Sequence, residues 1–156
     1  MPGNDPLIPQ EVIAAAEECQ VKWHVPASVT IAQWALESGW GKHMPPGSNN
    51  PFGIKAETDQ PSVKCYTREY RNGEWVRVPA YFRKYTSLAD AFDEHGEFLA
   101  DNHRYAAAFS TSSGPDFANA IAAAGYATDP HYGNELCEII VAHNLTQYDT
   151  ITPTLP

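Results

Sequence analysis

The sequence is poor in basic residues, in cysteine and in long apolar runs. Lysine and arginine number 10 against 19 aspartates and glutamates, and the formal net charge is −9 at pH 7. Such a chain has no cationic cluster that could release counterions from nucleic acid, so we exclude nucleic acid as a partner. No window of about 18 apolar residues occurs, so we predict no membrane-spanning segment and no membrane partner. The cysteines, which are Cys19, Cys65 and Cys137, include no CxxC pair. We interpret them as small buried hydrophobic residues, and a pairing between two of them stays open.

Several catalytic motifs are also absent. The sequence contains no H-E-x-x-H, no G-x-S-x-G and no glycine-rich phosphate loop. Zinc peptidases, serine hydrolases and nucleotide-dependent enzymes therefore have no support. Asp93, Glu94, His95 and Glu97 stand close together, but the helical pattern places His95 on an apolar stripe. We expect His95 in or beside the core, and we expect neither a metal nor a cofactor.

The composition predicts one domain that is mostly helical. The 156 residues are 43% hydrophobic and 12% aromatic, enough for a single core. We expect one domain over residues 1–156, with its core from about 9 to 149 and loose ends on either side. Apolar periodicity and capping signals predict five helices, near residues 9–24, 26–39, 87–99, 117–125 and 129–140.

A β-hairpin is predicted in SVKCYTREYRNGEWVRVPAYF, where Asn72-Gly73 is the favoured pair for a type I′ turn. A two-residue turn sets the cross-strand pairs as Arg71 with Glu74, Tyr70 with Trp75, Glu69 with Val76 and Arg68 with Arg77. The last pair brings two like charges together, which is unfavourable by itself.

Glu37 lies in ALESGWGKH, in the last turn of the second predicted helix and close to Trp40. The negative end of the helix dipole and an apolar neighbour both disfavour a carboxylate, so they raise the pKa of its carboxyl group. A raised pKa is what a general acid needs near neutral pH. The alternative is an ordinary solvated glutamate at a helix end.

Five blocks of sequence resemble one enzyme family in matching order. They are ALESGWGKH, NNPFGIKA, YTREYRNG, FRKYTSLADAFDEHGEFLADNHRY and AGYATDPHYGNEL. From about residue 9 to 149 the chain resembles glycoside hydrolase family 73, the peptidoglycan β-N-acetylglucosaminidases. The resemblance implies an α+β, mostly α, lysozyme-like fold, in which a helical lobe and a small β-hairpin lobe flank a substrate cleft. It also implies that Glu37 is the catalytic acid.

The resemblance further implies a second carboxylate across the cleft, in a T-x-E-Y block matched here by residues 67–70. Glu69 is our candidate, and its alternative is a solvated hairpin residue paired with Arg71 or Arg77. Glu94 is the other contender, because some relatives carry an acid on this helix. Its alternative is an ordinary charged helix face.

Sugar sites stack aromatic rings on pyranose faces, and Trp40, Tyr126 and Tyr132 lie in the matching blocks. The resemblance places the Tyr126 hydroxyl near the acid, where it would orient the 2-acetamido group or a water; the alternative is a core tyrosine. Asn50 could offer its amide to the substrate, although Asn before Pro is also a common turn former. Phe52 is expected to pack rather than to bind.

These features predict an endo-acting hydrolase that cuts the glycan strand of peptidoglycan after N-acetylglucosamine. Glu37 is the acid, and Glu69 or the acetamido group of the substrate completes the reaction. The alternatives are a muramidase or lytic transglycosylase, and a catalytically silent wall-binding module. The start MPGNDPLIPQ lacks the features of a secretory signal, so we expect synthesis in the cytoplasm and action in the periplasm or wall after non-Sec release or injection. The chain would then be a phage lysin or an injected effector, and an effector would require an immunity protein that blocks the cleft.

Overall fold

The structure, a computed structural model, describes residues 5–149. Within that range the chain forms five α-helices, one antiparallel hairpin and two 3₁₀ helices. In chain order they are α1 (Gln10–Trp23), α2 (Ala27–Ser38), β1 (Ser62–Arg71), β2 (Glu74–Arg83), α3 (Leu88–Asp101), a first 3₁₀ helix (His103–Ser110), α4 (Gly114–Ala123), α5 (Tyr132–Ala142) and a second 3₁₀ helix (Leu145–Tyr148). The predicted mostly helical α+β class is confirmed, whereas the two 3₁₀ helices were not predicted. No helix of the described range is long and apolar enough to cross a bilayer.

Packing begins earlier in the chain than the sequence indicated. Ile8 is 4% exposed and belongs to the hydrophobic core. Asp5 contacts the ring of His143 through its carboxylate. Residues 5–8 are therefore held against the helical lobe, and the expectation that they form a loose end is wrong. The remainder of the predicted loose ends, residues 1–4 and 150–156, lies outside the described residues.

Helix α2 is the central helix of the helical lobe. Every residue from Ala27 to Ala35 is buried, and the helix contacts α1, α4 and α5. A helix that is covered on all sides carries little polar sequence, which agrees with the run ASVTIAQWALES. Its last turn leaves the core and brings Glu37 to the surface.

The N-terminus of α2 is capped by residues that are distant in sequence. Pro26 precedes the helix and has no side-chain acceptor. Instead, Oε1 of Gln20 accepts a hydrogen bond from the Ala27 N–H at 2.6 Å. The carboxylate of Asp149 accepts from the backbone N–H and the hydroxyl of Ser28, at 2.7 Å and 2.6 Å. Together these acceptors satisfy N–H groups that have no partner inside the helix.

The C-terminus of α2 turns sharply directly after Glu37. Residues 39–41 take successive left-handed conformations, with φ of 58°, 60° and 85°. Gly39 ends the helix as predicted, and a Cβ at this position would come within 2.3 Å of Cδ2 of His43. The buried Ser38 hydroxyl accepts from the Gly41 N–H at 2.8 Å. These contacts fix the backbone on which Glu37 stands.

The hairpin has the predicted register, including the pairs Tyr70–Trp75 and Arg68–Arg77. Asn72 and Gly73 both have positive φ, at 51° and 81°, as a type I′ turn requires. Exposure alternates along β1, so one side of the hairpin is partly covered and the other faces solvent.

Two of the remaining helices begin at other residues than predicted. Helix α4 begins at Gly114, earlier than predicted, because the Ser113 hydroxyl accepts from the Asp116 N–H at 3.2 Å. The Ser87 hydroxyl accepts from the Asp90 N–H at 3.1 Å and begins α3 as predicted. The last helix begins at Tyr132, later than predicted, because Oδ1 of Asp129 accepts from the His131 N–H and holds residues 129–131 in a turn. All three cysteines are free; Cys19 is buried, and the other two are only half buried.

Candidate active site

A groove between the helical lobe and the hairpin contains Glu37. It consists of two cavities of about 320 Å³ and 500 Å³, and both are lined by Glu37 and Gly53. The smaller cavity extends along α3 and includes Glu94 and Tyr126. The larger cavity extends to the hairpin and includes Thr67. Glu37 therefore stands where the two halves of the groove meet.

The Glu37 side chain is open to the groove on one side and surrounded by protein on the others. Loss of hydrating water on the enclosed sides raises the pKa of Glu37 to about 8. Hydrogen bonds from Tyr132 and Tyr126 act in the opposite direction, because they stabilise the carboxylate. The predicted direction of the shift is confirmed, and burial outweighs the two hydroxyl groups.

A chain of hydrogen bonds leads from the core to Glu37. The Tyr132 hydroxyl donates to Oε2 of Glu37 at 3.3 Å, and Nε2 of Gln33 donates to the Tyr132 oxygen at 3.0 Å. Nε2 of His95 lies 2.8 Å from Oε1 of Gln33. Since the amide oxygen can only accept, His95 carries its hydrogen on Nε2. Each group in the chain thus donates towards Glu37.

The inner members of this chain are held rigidly. Gln33 and His95 are buried, and burial lowers the pKa of His95 to about 3, so its ring is neutral. Because Gln33 occupies the oxygen of the Tyr132 hydroxyl as a donor, the hydroxyl hydrogen is directed to Glu37. The position of His95 beside the core was predicted. Gln33 was not, although a lone glutamine inside the apolar run of α2 was a signal that it has a buried polar partner.

Tyr126 lies at the surface of the groove, and Tyr132 lies behind it. Their rings stack with centroids 5.3 Å apart and 17° between the planes. Tyr126 lines the smaller cavity, as its predicted role requires. Tyr132 is only 5% exposed, so its ring is not available to stack on a sugar. The prediction that Tyr132 binds substrate directly is wrong, because the residue is used to hold Glu37.

Trp40 lies outside the groove. Its ring packs edge-on against Trp34 at 5.9 Å and against His143 at 4.6 Å, and it lines neither cavity. The backbone at Trp40 is itself left-handed, with φ of 60°. Trp40 therefore packs against Trp34 and His143, and the structure does not place it in the groove where a sugar contact was predicted.

The Asn50 amide is used inside its own loop. Nδ2 donates to the carbonyl groups of Ile54 and Arg83 at 2.8 Å and 3.0 Å, and Oδ1 accepts from Phe52 N–H at 3.3 Å. Both amide hydrogens are taken, so the predicted donation to substrate is wrong and the alternative of a turn former holds. Phe52 packs on His95 with centroids 4.1 Å apart, as predicted.

The two candidate second carboxylates lie in different surroundings. Glu69 is bonded to Arg71 at 2.7 Å, which is the alternative that the sequence left open. It lies on the same side of β1 as Thr67, which lines the larger cavity, but Glu69 itself lines neither. Glu94 lines the smaller cavity together with Glu37, and its Oε2 lies 3.5 Å from Nη2 of Arg83. The structure therefore brings Glu94, rather than Glu69, into a cavity with Glu37.

Known proteins resemble this chain over most of its length. Residues 13–145 match the family described as mannosyl-glycoprotein endo-β-N-acetylglucosaminidase. The peptidoglycan hydrolase FlgJ of Escherichia coli K12 is 37% identical over 147 residues, which cover 90% of this chain and 47% of that protein. The exo-glucosaminidase LytG of Bacillus subtilis is 32% identical over 140 residues, which cover 86% of this chain and 50% of LytG. The chain thus spans about half the length of these curated relatives.

A solved structure agrees with the sequence relatives. The C-terminally truncated glycoside hydrolase domain of Salmonella typhimurium FlgJ has a TM-score of 0.74 at 36% identity, covering 85% of this chain and 93% of that chain. This likeness confirms the predicted lysozyme-like fold of a helical lobe with a small hairpin lobe. The chain therefore belongs to the glucosaminidase family, glycoside hydrolase family 73, as its sequence blocks predicted.

Proposed function

We propose that this chain hydrolyses peptidoglycan as an endo-β-N-acetylglucosaminidase, with Glu37 as the general acid. The observation that carries the proposal is the state of Glu37. Its carboxyl group is open to the groove, is hydrogen-bonded by Tyr132 and has a pKa raised to about 8. A carboxyl group of that kind is still protonated at neutral pH and can give its proton to a glycosidic oxygen.

The hydrogen bond from Tyr132 assigns separate tasks to the two oxygens of Glu37. Oε2 accepts from Tyr132, so we assign the acidic proton to Oε1. As the bond between C1 and the glycosidic oxygen breaks, the proton passes from Oε1 to the leaving oxygen. In a retaining or substrate-assisted reaction the Glu37 carboxylate then removes a proton from the water that adds to C1, and the acid is restored; in an inverting reaction the second carboxylate removes that proton.

The positive charge that develops at C1 needs a partner, and the chain offers two. Glu94 supports the first option because it lines the cavity with Glu37. Glu69 is the second option, and to act it would have to break its hydrogen bond with Arg71. The acetamido group of the substrate is a third option and needs no second protein carboxylate. We propose Tyr126, which lines the same cavity, as the residue that orients this reacting group.

Endo action is supported by the form of the groove. A cavity extends from Glu37 in each direction, one along α3 and one to the hairpin. A glycan strand can therefore continue on both sides of the bond that is cut. In an enzyme that removes terminal sugars, one side of the groove would be closed beyond the terminal unit.

The bond that is cut can be identified from its products. Sacculi digested by the chain, reduced with borohydride and hydrolysed in acid should yield glucosaminitol by mass spectrometry. Muramitol alone would assign the chain to the muramidases, and anhydromuramic ends would assign it to the lytic transglycosylases. Binding without any release of sugar would leave only a wall-binding module.

We further propose a role in killing or lysing bacterial cells, as a phage lysin or as an injected effector. In the second case an immunity protein would insert a polar or charged side chain against Glu37, since this is the acid that the groove leaves accessible. Co-expression of the genes adjacent to this one, followed by purification with the Glu37→Gln chain, would reveal such an inhibitor. If no product of the adjacent genes co-purifies with the chain or reduces sugar release, the effector role is contradicted.

A further inference from the structure

The solvent side of the hairpin carries an unusual set of side chains for an acidic protein. We call it the outer face; it includes Lys64, Tyr66, Arg68 and Tyr70 in β1 with Trp75, Arg77 and Tyr81 in β2. Its four aromatic residues are 53% to 63% exposed. The three basic residues are also exposed. Three of the chain's 10 basic residues thus share one small surface with four exposed aromatic rings.

The charges of the outer face are not balanced within the described residues. Arg68 lies directly opposite Arg77 in the register, on the same side of the sheet, and like charges in such a pair repel. No carboxylate of residues 5–149 forms an ion pair with Lys64, Arg68 or Arg77. Each arginine lies over an aromatic ring instead, Arg77 at 4.3 Å from the Tyr66 centroid and Arg68 at 5.4 Å from that of Trp75. An anionic ligand would offset the repulsion between Arg68 and Arg77, which no carboxylate of residues 5–149 neutralises.

The outer face is continuous with the groove. Tyr66 belongs to the outer face and also lines the larger of the two cavities. A polymer that leaves the groove on the hairpin side therefore reaches Tyr66 first and can continue along the sheet. Aromatic rings fit the apolar faces of sugars, and paired guanidinium groups fit carboxylates.

We propose that the outer face binds a carboxylate-bearing stretch of the peptidoglycan strand, outside the groove. The inference rests on the proposed function, because the polymer of that function carries both sugar rings and the carboxylates of its lactyl and peptide groups. The sugar rings lie on Tyr70 and Trp75, and the carboxylates are held by Arg68 and Arg77. The surface anchors the wall beside the groove and takes no part in bond cleavage.

Binding to insoluble sacculi tests the proposal in a chain that cannot cut them. In a Glu37→Gln background, Arg68→Gln/Arg77→Gln should bind sacculi about tenfold more weakly in a sedimentation assay. The matched control is Lys55→Gln/Lys84→Gln, which removes the same charge from two exposed positions that line neither cavity. The control should bind nearly as the parent does. If the two double variants lose binding to sacculi equally, the proposal is overturned.

Two further probes separate the ligand chemistry. Chitin is an uncharged polymer of N-acetylglucosamine, so the arginine variant should bind it as the parent does, while Trp75→Ala should weaken binding to both polymers. Vesicles of phosphatidylglycerol test for a general anionic surface. If binding to the vesicles depends on Arg68 and Arg77 as strongly as binding to sacculi does, the assignment to the glycan strand is wrong.

Stability and activity complete the test. Removing the like-charge pair should leave the Tm unchanged or raise it. If instead the Tm falls and binding to chitin and to sacculi weakens equally, the arginines serve hairpin packing and the proposal is overturned. Failure of the proposed function has its own signature, which is that the unsubstituted chain releases no sugar from sacculi. If sugar is released and the arginine variant binds as its control does, only the outer-face proposal falls.

Discussion

The hydroxyl oxygen of Tyr132 lies 3.3 Å from Oε2 of Glu37. This hydrogen bond lowers the pKa of Glu37, against the larger effect of burial. A general acid works only while protonated, so the basic limb of the kcat profile should follow the pKa of Glu37, at about 8. Tyr132→Phe should raise that pKa and move the basic limb to higher pH, while the rate near neutral pH falls about tenfold because the carboxyl group is less well oriented.

Tyr126→Phe is the comparison, since Tyr126 lies at the groove surface and its hydroxyl lowers the pKa of Glu37 less than that of Tyr132 does; its basic limb should move by less. It should lower the yield of glucosaminitol without changing the product. A basic limb that stays in place in Tyr132→Phe would show that the hydroxyl does not act on Glu37. An unchanged rate in Tyr126→Phe would assign Tyr126 to packing.

Glu37→Gln should abolish wall hydrolysis and leave the fold intact. The amide keeps the shape of the carboxyl group but has no proton to donate, and loss of general acid catalysis costs about 10²–10⁴-fold in rate. Turbidity of a sacculus suspension measures the activity, and circular dichroism measures the fold. A folded Glu37→Gln chain with full activity would remove Glu37 from the mechanism.

The second catalytic group follows from two parallel changes. If Glu94 or Glu69 is the base or nucleophile, its change to Gln should lower the rate of wall hydrolysis nearly as much as Glu37→Gln does. If the acetamido group of the substrate acts, both should cost less. From the cavity that Glu94 shares with Glu37, we expect Glu94→Gln to cost more than Glu69→Gln. The reverse order would mean that the hairpin moves during catalysis.

Stability should depend on pH through Glu37. Its pKa is raised in the folded state from 4.5 to about 8, so the folded state binds the proton more tightly than the unfolded state does. The resulting stabilisation is complete below pH 4.5 and is lost as the pH rises to about 8. Urea unfolding of the parent and of Glu37→Gln should give free energies that diverge over this interval, with the Gln variant the more stable at high pH. Parallel curves would mean that Glu37 titrates alike in both states.

Gln33→Met should interrupt the hydrogen-bond chain without changing the volume of the site much. It leaves the His95 N–H without an acceptor and the Tyr132 oxygen without a donor, at a cost of about 1–3 kcal/mol in the free energy of unfolding. Because the Tyr132 hydroxyl is then free to turn, kcat should fall while KM changes little. Gln33→Glu, which restores an acceptor for His95, should recover stability better than activity. Equal kcat in the parent and in Gln33→Met would limit Gln33 to a structural role.

Gly39→Ala should damage both stability and activity. Its φ of 58° is strained for any residue with a Cβ, and that atom would come within 2.3 Å of the His43 ring. Gly47→Ala provides the comparison, since φ is 75° there and no atom lies within 4 Å of the added Cβ. Both changes should lower the free energy of unfolding by about 1–2 kcal/mol through backbone strain. Only Gly39→Ala should lower it further and also lower the rate of wall hydrolysis. Equal losses in Tm would show that His43 moves away freely.

Local rules predicted the hairpin and most helix ends well. The pair Asn72-Gly73 determines a two-residue turn, and the turn determines every cross-strand pair, so the register followed from a few residues. Ser87 with Asp90 and the glycine after α2 acted in the same way, because capping depends on neighbours in the chain.

The direction of side chains at the groove could not be predicted in the same way. Trp40 and Glu37 are close in sequence, but the Trp40 ring packs against Trp34 and His143 and does not line the groove. The partner of Gln33 lies 99 residues away, and the amide of Asn50 is taken by carbonyl groups of its own loop and of β2. Such contacts depend on the finished fold, which periodicity does not describe.

The cap of α2 has a consequence for the newly made chain. Ser28 and Asp149 are separated by 121 residues, and a contact of that length forms late because most of the chain must be ordered first. The helix that carries Glu37 therefore emerges from the ribosome long before the acceptor for its N-terminus does. We expect a nascent chain to lack a competent acid until synthesis has passed Asp149, so that translation itself delays the activity that we propose for it.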